Sequence, residues 1–539
     1  MMNQTRTTLV FRWTVALTMT LTSVAGAESS GDTPETPSSL KSTAQSEDSS
    51  NEDSSSEDSS SEEADFGDDL GDDFGGFDDL DKISLTPSAS VASSPISVSG
   101  FARTQWAMWT LRPIEDSWAK GRQNLDLSAT YKRSDWTLRL EGHLEYDLLY
   151  LTEGPFDPVQ KEEYHSRYIG GTQSISKRFA LGEGSLTLST GRQIVTWGEM
   201  DGVSALDVVN PQDQREPGVA DIDDLRIAVW LSRIQYTRAS HSLELMVRHE
   251  GNYGLLVPPQ ADYSPFNSMI GDQPAVAARL SGRELRFAHE REGVGADTQS
   301  YFMRYRYHGS GFDLGVYAAS ILDGRGVLNG PKLLTTFTEA LNPNGGGPLE
   351  ITYEHPRYTL IGTTFAKPLG HWLFKGELVG AIDLPTNIGD SQNLASLEVE
   401  EVDTLTGGLS LTYSGISDTT IAAEYQRSAL LSEDPDQPFF FPPNIDIIAL
   451  RANSTLFRER VTVSGVISLI APRWSEASAL HRPERGGILR FDASYRLRDD
   501  LKLALGYIHY MSGDDFGPFY GLEEHDRVFT QLRWDFILY

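Results

Sequence analysis

Two-residue alternation of apolar and polar side chains constrains the fold of this chain more than any other feature. It is clearest from Trp136 to Tyr150, where Leu138, Leu140 and Leu144 alternate with polar and charged residues. Because successive side chains of a β-strand point to opposite faces, the segment forms one apolar and one charged wall. The pattern recurs at 125–131, 301–308, 409–413, 461–469, 489–497, 501–507 and 528–536.

Such strands fit either a soluble sandwich or a transmembrane barrel, and three features favour the barrel. The alternating segments run to about 10–14 residues, whereas strands of soluble proteins usually have 5 or 6. Tyr and Trp cluster at the segment ends, as in the aromatic girdles of outer-membrane barrels. The chain has no cysteine, which suits passage through an oxidising periplasm. We predict an all-β, transmembrane antiparallel barrel over residues 96–539, with about 16 strands in a range of 14–18.

Six connections are too long for tight turns, and we expect them to be surface loops, some of them folded inward. They span residues 198–224, 251–283, 323–350, 383–403, 431–445 and 471–486. The first contains Pro211, Pro217, Gly202 and Gly218, which predict a constrained loop tucked into the lumen as a constriction. It is also rich in Asp and Glu, so it could bind Ca²⁺ or be a solvated acidic loop. Its spacing matches no EF-hand, which favours the solvated loop.

The N-terminal residues 1–27 have the pattern of a secretory signal peptide. Arg6 and Arg12 precede a short apolar stretch, and the small-residue sequence ending at Ala27 predicts cleavage there. The following segment, residues 28–95, is rich in Ser, Asp and Glu. Its 19 acidic residues up to Lys82 give a net charge near −17 against two lysines. A segment with so few apolar residues is expected to be disordered.

An acidic motif at residues 65–81 is regularly punctuated by apolar side chains. These are Phe66, Leu70, Phe74, Phe77 and Leu80. Their spacing places them on one helical face, although four interspersed glycines oppose an isolated helix. The motif is either a solvated tether or a docking motif for a periplasmic or inner-membrane transport partner.

Three segments carry a resemblance to an uncharacterised family of large proteobacterial outer-membrane proteins, known as a domain of unknown function. They are GRQIVTWGE at Gly191–Glu199, LDVVNPQDQREPG at Leu206–Gly218 and DIDDLRIAV at Asp221–Val229. The resemblance implies a barrel linked to transport of apolar compounds, with no catalytic residues to carry over. The residues that carry it are Gly191, Arg192, Gln193, Trp197, Gly198, Asn210, Pro211, Asp213, Arg215, Glu216 and Pro217.

Charged residues on the polar faces of the strands are candidates for the lining of a pore. They are Arg139, Glu141, His143, Glu145, Asp147, Arg304, Arg306, Arg490 and Asp492. His143 between two glutamates could act as a general base or belong to an ion-selectivity stripe, and we favour the polar stripe. Acidic and basic rows could either impose a field across the pore or pair and plug it.

These observations predict a porin-like channel for small solutes, including apolar compounds, in the outer membrane of a Gram-negative bacterium, with the acidic tail in the periplasm. The alternative is a plugged barrel that acts as a binding or envelope-complex component, whose tail docks a periplasmic partner. We expect contact with the outer-membrane assembly machinery, no cofactor and no enzymatic activity. The net charge of −32 argues against a nucleic-acid partner.

Overall fold

The computed structural model describes most of the chain from residue 95 onward. The described ranges are 95–113, 117–151, 158–218, 225–264, 283–340, 348–389, 397–431, 444–472, 486–513 and 519–538. The described residues do not include the predicted signal peptide at 1–27 or the motif at 65–81. Of the predicted disordered segment 28–95, they include only residue 95.

Eighteen antiparallel strands form one closed sheet, which confirms the predicted barrel. Neighbouring strands pair around the ring, and β1 also pairs with β23 from Ser99–Ile537 to Trp109–Arg527, which closes it. The barrel strands are β1 Ile96–Trp109, β2 Trp118–Arg133, β3 Trp136–Asp147, β4 Ser166–Leu181, β5 Gly184–Gln193, β6 Val229–Arg238, β7 His241–Arg248, β11 Ser300–Gly309, β12 Phe312–Leu322, β15 Arg357–Leu369, β16 Trp372–Ile388, β17 Glu398–Ile416, β18 Thr419–Leu430, β19 Ile445–Leu456, β20 Val461–Pro472, β21 Gly486–Arg498, β22 Leu501–Met511 and β23 Arg527–Ile537.

Smaller elements lie in the connections between barrel strands. Two short sheets are formed by β8 Glu250–Gly251 with β10 Gly293–Val294, and by β9 Leu285–His289, β13 Val327–Leu328 and β14 Leu349–Glu354. The helices are α1 Pro158–Tyr164 and α2 Gly330–Ala340, with a 3₁₀ turn at Leu148–Leu151. Among the described residues, no helix has both the length and the apolarity to cross a membrane.

The alternation in the sequence becomes an apolar outer surface and a polar lumen. On β3, Leu140 and Leu144 are 50% and 46% exposed on the outside, whereas the inward Asp147 is 1% exposed. Leucines exposed at this density around a closed sheet are stable facing lipid, where all backbone groups are already paired within the barrel. The fold is therefore a transmembrane β-barrel.

The structure differs from the sequence-based expectation in strand number and in some boundaries. It has two strands more than the 16 expected, at the upper end of the predicted range. The strand predicted to reach Tyr150 ends at Asp147, where the chain enters the 3₁₀ turn. The loop predicted at 383–403 shrinks to 389–397, because β16 continues past an irregularity at Asp383 (φ 57°) and β17 begins early.

The two ends of the barrel differ in the length of their connections. Within the closed sheet, eight short turns join strand pairs at one end, from the turn at 134–135 to the turn at 499–500. The first residue of β1 and the last residue of β23 lie at this same end, because the strand number is even. Short turns are periplasmic in outer-membrane barrels, so this end is the periplasmic one and the long loops are extracellular.

A charge on the outer surface is expected to destabilise the barrel far more than the same charge in the lumen. Leu505 is 59% exposed near the middle of β22, and the inward-facing Gln531 of β23 pairs with its neighbour Ala504. We expect L505R to lower the free energy of unfolding by about 2–4 kcal/mol, since arginine is costly at the bilayer midplane. Urea titration in lipid vesicles measures this, with Q531R as the matched lumen control. Equal losses in the two variants would contradict a lipid-facing outer surface.

Candidate functional site: a loop folded into the barrel lumen

The described parts of the connection between β5 and β6, residues 194–218 and 225–228, fold into the barrel, and we call them the lumen loop. Asn210 ties its two ends together. The Asn210 Oδ1 accepts the N–H of Val195 at 2.8 Å, and its Nδ2 donates to the carbonyl oxygens of Gln193 and Ile227 at 3.0 and 2.9 Å. The N–H of Ile227 also donates to the carbonyl of Pro211 at 2.8 Å. The base of the loop is thus a closed hydrogen-bonded unit.

The first residues of the GRQIVTWGE motif, at the end of β5, support the base of the loop. Gly191 has φ +121°, and a Cβ there would lie 2.2 Å from the carbonyl oxygen of Gln173, so the position requires glycine. Arg192 donates to the carbonyl of Ala228 at 2.6 Å, and Gln193 donates to that of Leu231 at 3.0 Å. These bonds join the start of the loop to the strand that follows it.

Apolar side chains seat the loop against one side of the wall. Trp197, Leu206 and Val209 are fully buried in a cluster that includes Phe302 of β11 and Tyr317 of β12. The Trp197 ring meets both aromatic rings edge-on, each with a centroid distance of 5.3 Å. Aromatic pairs favour this geometry, so the tryptophan fixes the orientation of the chain that follows it.

Residues 197–204 form a first lobe, which a wall carboxylate holds by its backbone. Oε1 of Glu377 on β16 accepts the N–H groups of Glu199 and Met200 at 2.7 and 3.2 Å. The same carboxylate accepts the hydroxyl of Ser204 at 2.9 Å. These hydrogen bonds satisfy amides that the loop itself leaves unpaired.

A second wall carboxylate continues this pattern. Glu424 on β18 accepts the N–H groups of Asp201 and Gly202 at 3.0 and 3.1 Å. The side chain of Asp201 in turn accepts from Nζ of Lys375 on β16 at 2.5 Å, in a buried ion pair. Four consecutive backbone amides are therefore held by two glutamates of the barrel wall.

Two glycines make this close approach possible. Gly198 has φ +95°, and a Cβ there would lie 2.0 Å from Oγ of Ser204. At Gly202, a Cβ would lie 2.5 Å from the guanidinium of Arg451 on β19 and 2.7 Å from Glu424. The glycines let the loop backbone lie directly against the charged groups of the wall.

Residues 213–218 form a second lobe, which contacts other strands. Arg215 is 1% exposed and donates from Nε to Asp213 at 2.9 Å. Its Nη2 donates to Glu145 of β3 at 2.9 Å, and its Nη1 donates to the carbonyl of Glu163 at 2.7 Å. A guanidinium buried this deeply is stable only because carboxylates surround it.

Glu216 lies among cations of the opposite wall. Its carboxylate pairs with Lys120 and Arg122 of β2 and lies 3.6 Å from Nη1 of Arg527 on β23. Burial alone would raise the pKa of Glu216, but the charges of Arg122 and Lys120 outweigh it and hold the pKa well below its usual range. The lobe is therefore anchored by a carboxylate that stays ionised in mild acid.

The second lobe ends against β21 and β22. The hydroxyl of Tyr510 donates to the carbonyl of Pro217 at 2.5 Å, and a Cβ on Gly218 would overlap the side chain of Ile488. Together with the first lobe, these contacts tie the lumen loop to strands on well-separated arcs of the barrel. The described part of the loop is tucked into the lumen, as the sequence predicted.

The preferred interpretation of this loop as a solvated acidic loop is wrong for four of its five described carboxylates. Asp201, Asp207, Asp213 and Glu216 are each paired with a cation, Asp207 with Arg226 at 2.9 Å. The acidic residues at 221–224 lie outside the described residues. Among the residues with described positions, no group of three or more acidic or histidine side chains could hold a metal ion.

The predicted pore-lining residues on β3 face inward, and His143 and Glu145 belong to one network. His143 bonds to Asp126 at 2.7 Å, to Asn124 at 3.0 Å and to Glu145 at 3.3 Å. Glu145 continues the network to Arg215 of the lumen loop. Asp147 accepts the N–H groups of residues 121 and 149, Glu141 accepts that of residue 172, and Arg139 is exposed near the periplasmic end.

The other predicted pore-lining residues divide into two places. Arg304 is buried beneath the lumen loop, where it pairs with Glu244 at 2.9 Å and donates to the carbonyl of Thr196 at 3.0 Å. Arg306 lies two residues further along the same inward face. Arg490 donates to Asp492 at 3.0 Å on β21, on the opposite arc. The structure does not bring these two sets together.

Sequence reasoning missed most of the wall residues that hold the loop. These are Lys120, Arg122, Lys375, Glu377, Glu424, Arg451 and Arg527. Each is a charged residue on the inward face of a strand, so alternation alone would have assigned it to the lumen. Which loop atom each would meet depends on barrel curvature and loop path, and the sequence contains no local signal for either.

The part of the chain that matches a known protein family contains the lumen loop. Residues 119–435, more than half of the chain and including the whole lumen loop, match the model of the family described as protein of unknown function DUF1302. The chain belongs to the DUF1302 family. This confirms the family resemblance noted in the sequence. No curated protein sequence matches this DUF1302 chain.

Solved structures with a similar chain course come from two bacteria. OccAB1 of Acinetobacter baumannii is 10% identical, with a TM-score of 0.45, over 84% of this chain and 98% of its own. OpdK of Pseudomonas aeruginosa, solved with vanillate, is 9% identical, with a TM-score of 0.43, over 82% and 98%. OccK9 (OpdG) of P. aeruginosa is 12% identical, with a TM-score of 0.42, over 82% and 98%.

Removing the charge of Glu216 is expected to release the second lobe. E216Q leaves Lys120, Arg122 and Arg527 facing a neutral amide, and an uncompensated buried charge costs about 3–5 kcal/mol. We expect faster tryptic cleavage after Arg215 in folded protein. The isosteric E183Q, in the exposed turn between β4 and β5, makes the same change of charge away from the loop and serves as the control. An unchanged cleavage rate in E216Q would show that the ion pairs do not hold the lobe.

The ion pairs of Glu216 also make the attachment of the second lobe depend on pH. Because the folded pKa of Glu216 is depressed, its stabilisation is complete above the unfolded pKa of about 4.3 and is lost as the pH falls toward the folded value. We therefore expect wild-type cleavage after Arg215 to be slow and constant from neutral pH to about pH 5 and to rise below it. In E216Q this rise should be absent. Cleavage by a protease that is active in acid measures both profiles.

Proposed function

We propose that this DUF1302 protein is a channel through which small solutes cross the outer membrane of a Gram-negative bacterium. The observation that carries the proposal is the lumen loop, which is held across a closed transmembrane barrel by buried polar contacts to separate arcs of the wall. A loop fixed in this way narrows the pore and leaves a passage beside it. Constrictions lined by charged groups select among solutes.

The proposed location follows from the same barrel. Closed β-barrels with an apolar outer belt are the spanning structures of bacterial outer membranes. The described chain begins at the end with short turns, so we place the acidic segment 28–95 in the periplasm. Removal of residues 1–27 by signal peptidase is part of this proposal.

We include solutes with an apolar body among the cargo. Phe101 of β1 points into the lumen on the arc opposite the apolar seat of the loop. Aromatic side chains on an otherwise charged wall give apolar groups a surface to contact. No catalytic role is proposed for any residue.

The second candidate function is a plugged barrel that binds ligands or envelope partners. The buried ion pairs of Arg215 and Glu216 favour it, because they fasten the loop more firmly than a passive constriction needs. In this case the motif at 65–81 would dock a periplasmic partner.

Single-channel current in planar bilayers distinguishes the two functions. The probe is mature full-length protein starting at Glu28, compared with the double variant E377Q/E424Q, which weakens the hydrogen bonds to the first lobe. We expect discrete steps from the wild type and larger, noisier steps from the variant. The double variant E398Q/E400Q, on the extracellular part of β17, has the same change of charge and serves as control.

Two results would count against an open channel. Steps that appear only in the released variant would identify a plugged barrel. A silent wild type and a silent variant, both heat-modifiable in gel electrophoresis and therefore folded, would overturn the channel proposal.

A further inference from the structure

Two histidines from different extracellular connections meet outside the closed sheet. His289 is the last residue of β9, in the connection between β7 and β11, and His355 lies between β14 and β15. Nδ1 of His289 and Nε2 of His355 are 3.0 Å apart and share a hydrogen bond. Next to it, β9 pairs in parallel with β14. We call the His289–His355 contact the histidine latch, because it joins the two connections.

The other hydrogen bond of His355 decides which ring donates in the latch. Its Nδ1 donates to the carbonyl oxygen of Asp323 at 2.7 Å, so in the neutral ring Nε2 has no proton and accepts from His289. A single added proton leaves one donor and one acceptor in the contact, since either tautomer of the neutral ring is available. Two added protons leave two N–H donors that face each other on two cations, and such a contact is repulsive.

Aromatic rings cover the latch on two sides. The ring of Tyr253 stacks on that of His355 with the planes 8° apart, and the ring of Tyr353 lies alongside His289 with the centroids 5.8 Å apart. His355 is 1% exposed. Water therefore has little access to a charge on this ring, and burial of an unpaired charge is costly.

The carboxylates next to the latch are already paired with cations. The charged and titratable groups that face the two histidines are Arg248, Tyr253, Glu290, Asp323 and Tyr353. The carboxylate of Asp323 accepts from Nε of Arg325 at 3.2 Å, and Glu290 pairs with Lys332. Arg248, at the end of β7, adds a positive charge on the side of His355. This setting favours the neutral form of both rings.

The pKa values of the two histidines agree with the geometry. Burial lowers the pKa of His289 to about 4, with His355 adding to the effect, and burial also lowers the pKa of His355. The ordinary value is about 6.5, so the separated histidines bind protons more readily than the joined ones. The latch is therefore fully stable above about pH 6.5 and loses stability as the pH falls toward the lower values.

The latch also borders a segment that contacts the lumen loop. Two residues after Tyr253, the N–H of Leu255 donates to the carbonyl of Gln212 at 3.1 Å, and its carbonyl accepts the N–H of Gln214 at 2.8 Å. Gly254 has φ +87°, and a Cβ there would lie 2.3 Å from the carbonyl oxygen of Gln212. Tyr253 thus connects the latch to the lumen loop through two residues of backbone.

We propose that the histidine latch is an acid-sensitive switch, which holds the two extracellular connections together while its rings are neutral and releases them when both rings bind a proton. The inference goes beyond the proposed function, because it concerns the conformation of the extracellular connections and holds whether or not the protein conducts.

Distances between spin labels test the switch. Because the chain has no cysteine, V294C/T335C places labels only on two exposed residues, one on β10 of the first connection and one on α2 of the second. Double electron–electron resonance on folded, full-length mature protein in detergent measures their separation. We expect one narrow distance distribution at pH 7.5 and a longer component that grows between about pH 6.5 and pH 4.

Two neutral variants separate the charge of the latch from other effects of acid. H289N keeps an amide that donates to neutral His355 or, turned over, accepts from its protonated form, and H355N keeps a donor for the carbonyl of Asp323. The longer component should be absent from both at every pH, and either variant decides if the other is already open at pH 7.5. H371N, in the periplasmic turn between β15 and β16, is the matched control and should keep the wild-type profile.

Three results would overturn the switch. The first is a wild-type distribution that stays the same from pH 7.5 to pH 4. The second is a longer component that grows in H289N and H355N as it does in the wild type, because another group would then respond to acid. The third is a longer component in both neutral variants already at pH 7.5, because loss of the contact, and not its charge, would then part the connections.

Discussion

Pairing of β1 with β23 is the contact on which the rest of the molecule depends, because it removes the last free edge of the sheet. In hydrocarbon, an unpaired N–H or C=O group is costly, so a spanning sheet must close. Closure also fixes the environment of every strand residue, since one face must meet lipid and the other the lumen. The alternation of Leu140 and Leu144 with His143 and Glu145 is stable only under this condition.

A closed barrel of this width has a lumen that eighteen rows of side chains do not fill, and the lumen loop occupies part of it. Backbone that leaves regular structure inside a protein still needs partners for its polar groups. Here charged wall residues supply them: Glu377 and Glu424 accept amides of the first lobe, while Arg122 pairs with a side chain of the second. Buried charges of the wall and unpaired amides of the loop thus satisfy one another.

The sequence predicted the fold class well, because the period of two is a local signal and both faces of a strand are read directly from it. Strand ends were less certain: the extension of β16 past Asp383 depends on pairing with β17, which is not local. The inward course of the loop was predicted from Pro211, Pro217 and the glycines. Its partners could not be, because Glu377 is 178 residues from the amide of Glu199 that it accepts. The acidic composition of the loop was therefore misread as exposure to solvent.

Asn210 bonds to residues at both ends of the lumen loop, and this has a mechanical consequence. The bonds of the base involve none of the wall residues that hold the lobes, so each lobe has its own attachment to the wall. Detaching one lobe disrupts only the contacts of that lobe, and the cost does not include those of the other. Two flaps on a common fixed base give the barrel two independent points at which its bore can change.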